Sequence, residues 1–495
     1  MFIAAGFFLQ SCATGKSSFN PNKKYTLQEV QEDYSLFQHI LEEYHPGLYW
    51  YTPKDSMDYF FRWGTSRLKD SMTEPELRKL LSYVTAKINC GHTTVRASKK
   101  FSRYADTVRS VIFPLSLKLW PDTAVVAANL NRRDTVLKRG TVIKSINYHP
   151  IDFIIDSLFQ FISADGYNST HKYQTLSNRA TFGNLYSSVF GVSDTYRIEY
   201  LDSTGKINTT TIPAYNPATD TSLRNLIRRI PAQPQPTQRE LKKMRLASAR
   251  SLRIDSANRV AIMDLGSFGR NYRIKKFIRQ SFKTIQKNKI KDLVIDVRAN
   301  GGGTVTNSTF ASRYIADQRF KIADSLYAVS KKNLYGHHIQ NHFLTRLFLL
   351  FFTKRKQDGH YHFGYFEKHY FKPKNKNHYN GQVYILTGGY SFSATTLFIH
   401  SVYKQKNVVL VGEETGGGAY GNNAWLIPDA TLPHTGIRIR LPLFRLVIDK
   451  TIPKNGRGIM PEVEADPSVE AIRRGADYKM EKVMELIKKE KDKNR

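Results

Sequence analysis

The sequence predicts a three-part α/β chain: an N-terminal helical segment, a mostly β module and a carboxyl-terminal α/β core. Three observations carry this. Apolar residues recur at three and four between Tyr25 and Ile88, shorten to strand-like runs from Val108 to Pro213, and from Val260 onward form short continuous runs separated by helix-length stretches. A length of 495 residues suits such a plan, since roughly 100 to 200 residues make one domain.

In the helical segment, residues 23–100, Val30, Tyr34, Phe37, Ile40 and Leu41 mark one apolar face, and Asp70 to Glu74 offers a helix start. The β module, residues 105–215, rests on Val111–Leu115, Ala124–Ala127 and Tyr196–Tyr200. Within it Leu137 to Asn147 holds a turn at Gly140 followed by alternating apolar residues, which resembles the central strand-turn signature of a PDZ domain. A free strand edge after Arg139-Gly140 would then receive a peptide as an added strand. Residues 216–256, with Pro231, Pro234 and Pro236, form a linker. The core spans 257–467 on Val260–Leu265, Asp292–Val297, Gln382–Thr387 and Val408–Gly412, and 468–495 is a charged helix, either solvated or packed on late.

Lys and Arg total 75 against 42 Asp and Glu, a net charge of +33 that suits an anionic partner. No nucleic-acid-binding spacing accompanies it, so nucleic acid is not expected. Two cysteines, Cys12 and Cys90, are too few for a disulfide framework or a zinc site; no metal or other cofactor is expected. The apolar run Phe2–Leu9 is far shorter than the roughly 20 residues of a spanning helix and leads into Leu9-Gln10-Ser11-Cys12. That box resembles a bacterial lipoprotein signal, although Met1 is followed directly by Phe2 rather than by basic residues. The resemblance implies a lipid on Cys12, a tether through residue 22, and an exported protein held on the outer membrane, periplasmic or surface-exposed.

Two strand ends carry chemistry. Leu293–Val297 runs into Arg298-Ala299-Asn300-Gly301-Gly302-Gly303, where glycines let backbone N–H groups converge on an anion. Val383–Thr387 runs into Gly388 to Thr396, whose Ser391 and Ser393 stand before the helical run Leu397-Phe398-Ile399. A serine at such an elbow is either a nucleophile beside oxyanion-stabilising N–H groups or merely a helix cap. Cys90, two residues from His92, is poorly placed to pair with it, because i and i+2 side chains diverge.

Taken together, Asp296 to Gly303, the Phe392-Ser393-Ala394 elbow, Gly412-Glu413-Glu414-Thr415-Gly416-Gly417-Gly418 and Asn89-Cys90-Gly91-His92-Thr93 resemble the carboxyl-terminal processing peptidases and the tricorn protease core, of ClpP/crotonase-like fold. The resemblance implies a serine endopeptidase cutting peptides or unfolded protein tails. It places the nucleophile at Ser393 and the oxyanion donors at the N–H groups of Gly302 and Ala394. The lysine base of one branch would stand at Gly418, and no lysine lies between Lys406 and Lys450. The tricorn-like branch uses a histidine, matched by His92, and an imidazole near its ordinary pKa of roughly 6.5 implies activity that falls below neutrality. The orienting carboxylate of the family corresponds to Asn455, ahead of Gly458-Ile459-Met460-Pro461, with Glu413 and Glu414 as alternatives; Thr396 stands where many relatives have Glu. These departures also suit a non-catalytic protein binding peptides or hydrophobic ligands, as the interphotoreceptor retinoid-binding repeats do on a similar core.

Residues 331–379 hold seven of the 14 histidines, many cations and the apolar run Leu347–Phe352. The segment is expected to form a lid or an amphipathic foot on a membrane surface, with its histidines on a solvated basic face rather than on metal.

Overall fold

Strand Val260–Leu265 lies between Arg250–Asp255, antiparallel to it, and Asp292–Asp296, parallel to it, in a computed structural model that describes residues 19–220 and 236–493. Gln382–Thr387, Val408–Gly412 and Val463–Glu464 continue the sheet in parallel. Alternate side chains go to opposite faces. Met263, Leu265, Leu293, Ile295, Val383 and Ile385 pack with helices Ile274–Lys287 and Ala394–His400, whereas Val260, Val294, Tyr384, Leu386 and Val411 pack with Val483 and Ile487 of the closing helix Tyr478–Lys493. Burial on both faces is why these runs are continuously apolar.

Two features differ from the sequence reading. Arg250–Asp255 falls inside the segment read as linker, yet it is the edge strand of this sheet; none of its residues is fully buried, and its apolar signal is only the pair Leu252 and Ile254, half-buried against the core. The carboxyl-terminal segment is two helices, Val469–Arg474 and Tyr478–Lys493, and it is docked rather than solvated. Lys479 is 3% exposed, and its Nζ donates to Thr387 O at 2.9 Å and pairs with Glu413. The lipoprotein box with Cys12, and Pro231 and Pro234 of the linker, lie outside the described residues.

Helices Leu27–Tyr44, Lys54–Thr65 and Glu74–Ala86 follow the predicted face; the first and third start with capping boxes, Thr26 with Glu29 and Thr73 with Glu76. They do not close a core of their own. Val30, Phe37, Leu41, Leu77 and Leu81 share one core with Leu326, Ile439, Phe444 and Leu446. These last residues belong to a five-stranded antiparallel sheet (Lys354–Arg355, Tyr361–His362, Ser325–Ala328, Phe444–Val447, Gly421–Ala424) and to a small sheet in which Thr94–Arg96 pairs with Arg438–Arg440. Residues 23–100 are therefore one wall of a larger unit.

The β module is an antiparallel sheet in the order Leu115–Trp120, Thr123–Asn129, Val142–Ile146, Thr195–Leu201, Ile207–Pro213, with helices Ile151–Phe159 and Thr181–Phe190 in its core. Strand Val142–Ile146, which follows Gly140, is interior, with both edges already paired, so it offers no edge to an added strand. Arg139 instead donates from Nε to Ile472 O at 2.6 Å, tying the module to the carboxyl-terminal helices. Among the described residues, no helix is long and apolar enough to cross a membrane.

Candidate active site

The parallel strands place the chemistry-bearing turns side by side. Asp296 registers with Leu386 and Thr387 with Gly412, so the turns after all three strands meet at one end of the sheet. Asn300 sews the first turn to the second. Its Nδ2 donates to Leu265 O at 2.7 Å, its Oδ1 accepts from Gly302 N–H at 2.9 Å, and its carbonyl accepts from Phe392 N–H at 3.2 Å. Gly302 has φ +97°, and a Cβ there would stand 2.8 Å from Ser393 Cβ and 2.9 Å from Ala394 N, so only glycine permits this approach.

The geometry separates the two serines. Ser391 is fully buried, and its Oγ donates to Val297 O at 3.0 Å and accepts from Gly388 N–H at 3.2 Å; it braces the elbow. Ser393 precedes the helix at φ 59°, ψ −122°, far from the left-handed helical basin, and its hydroxyl caps nothing. Such a backbone costs on the order of 1–3 kcal/mol and persists where surrounding structure enforces it. Ala394 N–H, the first of the helix, has no protein acceptor among the described residues, whereas Gly302 N–H is held by Asn300.

His92 reaches this elbow from the helical segment. Its ring centroid lies 4.6 Å from that of Phe392, the residue before Ser393. It is 6% exposed, and neither ring nitrogen has a hydrogen-bond partner among the described residues. Burial, aided by the charge of Arg440 and by His171, pushes its pKa down to about 3, so the ring is neutral near pH 7. An unpartnered buried donor and acceptor cost roughly 1–3 kcal/mol each.

No predicted orienting group reaches His92. Asn455 is exposed, and its Oδ1 accepts from Arg457 N–H at 3.0 Å in a local turn before Gly456, φ +72°. Glu413 pairs with Lys479. Glu414 accepts from Arg457 at 2.9 and 2.7 Å, from Gly458 N–H at 2.6 Å and from Thr170 Oγ1 at 3.2 Å. Each is committed to holding its own turn. Thr396 is buried with its hydroxyl unpartnered, where a Cβ on Gly417 would stand 2.1 Å from it. Cys90 is a buried free thiol with its pKa raised by burial, unsuited to act as a nucleophile.

Two residues that sequence reasoning missed complete the site. Asp165 is 2% exposed and accepts from Gly91 N–H at 2.9 Å and from Gly418 N–H at 3.4 Å, so it clamps the His92 loop to the turn in the lysine slot. Burial pushes its pKa up to about 6. His171 donates from Nδ1 to Gly389 O at 2.7 Å and stacks on Phe392 at 5.1 Å, so Phe392 has a histidine on each side. The one sequence signal was Asn168, which caps the helix at His171 N–H (2.9 Å) and also donates to Thr415 O (2.7 Å). Among the described residues no group of three or more His, Cys, Asp or Glu is arranged to hold a metal ion.

Strained serine, converging glycine turns and a parallel sheet define a serine hydrolase built on an α/β core. Residues 259–465 match the model of Peptidase family S41, and they form a serine peptidase core. No curated protein matches the chain. Among solved structures, mature CPAF aligns with TM-score 0.60 and 11% identity, covering 90% of this chain and 94% of that one. CPAF complexed with lactacystin aligns with TM-score 0.61 and 12% identity, over 93% and 98%. These two extend the likeness in fold beyond the core. The tricorn protease aligns more loosely, with TM-score 0.40 and 14% identity over 94% of this chain and 37% of that one.

Proposed function

We propose that peptide hydrolysis proceeds through Ser393 as nucleophile and His92 as general base, on peptides or unfolded protein tails. The observation that carries this is an uncapped serine in a strained elbow together with a buried imidazole that packs on Phe392, the residue before that serine, and has no hydrogen-bond partner among the described residues. Ser393 Oγ attacks the scissile carbonyl carbon while a neutral His92 nitrogen takes its proton. The carbonyl oxygen becomes an oxyanion, and Ala394 N–H donates to it. Gly302 N–H joins as second donor by exchanging Asn300 Oδ1 for the oxyanion. The imidazolium returns its proton to the leaving amine, and water hydrolyses the Ser393 ester by the same route in reverse. Asp165 acts as a positioning residue, holding the loop that carries His92. The β module, which we read as PDZ-like, presents the substrate chain, and its outer strand Ile207–Pro213 has the free edge that Val142–Ile146 lacks. The Leu9–Cys12 box supports a location outside the cytoplasm on a lipid anchor.

Labelling with a fluorophosphonate tests the nucleophile. Wild-type protein should gain one adduct and Ser393→Ala none. Equal labelling of the variant would refute the assignment, and no labelling or turnover in the wild type would favour the non-catalytic reading.

A further inference from the structure

Helix His342–Phe352 is one that the catalytic reading leaves unused. Its inner side is anchored: Leu349 is buried, and Phe348 lies 5.1 Å from Phe363 and 6.1 Å from Phe444. At about 100° per residue, Leu350, Phe343, Leu347, Phe351 and Leu344 share the opposite arc. Phe343, Leu344, Leu350 and Phe351 are 63, 65, 47 and 77% exposed there. Single exposed apolar residues are ordinary on a protein surface, but a continuous strip of them is not.

The segment that carries the helix is strongly basic. Residues 331–379 contain ten Lys and Arg and only two carboxylates. Both carboxylates have partners inside the segment: Asp358 lies 2.8 Å from His362 Nε2, and Glu367 pairs with Lys356 and lies 2.6 Å from His362 Nδ1. Arg346, at the edge of the arc, and Lys354 and Arg355, just past the helix, are exposed. The arc is convex and carries no side-chain hydrogen-bonding group. It therefore suits a fluid apolar layer under anionic headgroups better than a shaped protein pocket.

We propose that helix His342–Phe352 inserts its outer arc, Phe343, Leu344, Leu347, Leu350 and Phe351, into the interface of an anionic lipid bilayer. The contact is peripheral, since the helix is far shorter than the roughly 20 residues needed to span. It is independent of any lipid on Cys12.

The test uses the full chain carrying Cys12→Ser, with vesicles of phosphatidylcholine alone or mixed equally with phosphatidylglycerol. Binding to the mixed vesicles should exceed that to phosphatidylcholine and weaken with salt, and Leu344→Glu with Phe351→Glu should reduce it by about ten-fold or more while peptide hydrolysis is unchanged. A position-specific readout comes from Phe351→Trp with brominated phosphatidylglycerol: added tryptophan quenching relative to the parent supports insertion of this helix. Absence of that quenching overturns the proposal even where the protein sediments with vesicles. So does self-association in lipid-free buffer that the double Glu variant abolishes, because a second copy would then cover the arc.

Discussion

The depressed basicity of His92 makes the pH profile of peptide hydrolysis a sharp test. An exposed imidazole base with its ordinary pKa of roughly 6.5 is only about 3% deprotonated at pH 5 and would cost kcat/KM about thirty-fold relative to neutral pH. His92 has its pKa pushed down to about 3 by burial first, then by the charge of Arg440 and by His171. The free base is then retained down to low pH, and it is lost only as pH falls through about 3. Since kcat/KM reports the free enzyme, it should change by no more than about two-fold between pH 7.5 and 5 from titration of this residue. The assay is hydrolysis of an internally quenched peptide across that range, with tryptophan fluorescence recorded at each pH to establish that the protein stays folded. His92→Ala should remove activity at every pH. An acid limb near pH 6.5 in folded wild-type protein that persists when Asp165, itself pushed up to about 6 by burial, is replaced by Asn would refute the reasoning: the imidazole would then be hydrated in the working enzyme. This corrects the expectation drawn from the residue type, which placed the limb in the ordinary histidine range.

Replacing Ser393 with Gly should abolish turnover and raise stability by about 1 kcal/mol, because glycine relieves φ 59°; a lower thermal midpoint than wild type would contradict the strain. Asn455→Ala should leave kcat/KM within about two-fold and cost roughly 0.5 kcal/mol, since it removes one exposed turn bond; a large loss of activity would restore Asn455 to the mechanism. Acid should destabilise the fold. His45 and His92 are held to about 3 and His400 to about 4, all by burial, against an unfolded value of 6.5. The unfolded chain thus binds more protons below pH 6.5, costing about 2 kcal/mol per histidine by pH 5. Asp165, pushed up to about 6 by burial, works the other way and returns about 1.4 kcal/mol at that pH. A thermal midpoint that rises from pH 7.5 to 5 would overturn this balance. Cys12→Ser should move the protein expressed in a Gram-negative host from the detergent to the aqueous phase, and identical partitioning of both forms would end the anchor reading.

Residue type and local spacing were enough to determine the continuous apolar strands, the Gly-rich turn after Val297, the serine elbow after Thr387 and the helical face from Val30 to Leu41. These depend on a chain's immediate neighbours, so periodicity exposes them. Residue type and spacing did not separate Ser391 from Ser393; the family resemblance named Ser393, and the physical reason is tertiary. It turns on a 3.0 Å bond from Ser391 to Val297 O across the sheet. The edge strand Arg250–Asp255 was missed because its apolar alternation is only Leu252 and Ile254, half-buried among polar neighbours and too short to stand out from the stretch before it. Asn455 carried a family expectation that only its exposed position dismissed, and Asp165 carried none until folding set its carboxylate between Gly91 and Gly418. The basicity of His92 is likewise tertiary. Desolvation sums over every atom packed around the ring, and those atoms include Phe392 and Arg440, three hundred or more residues along the chain from His92.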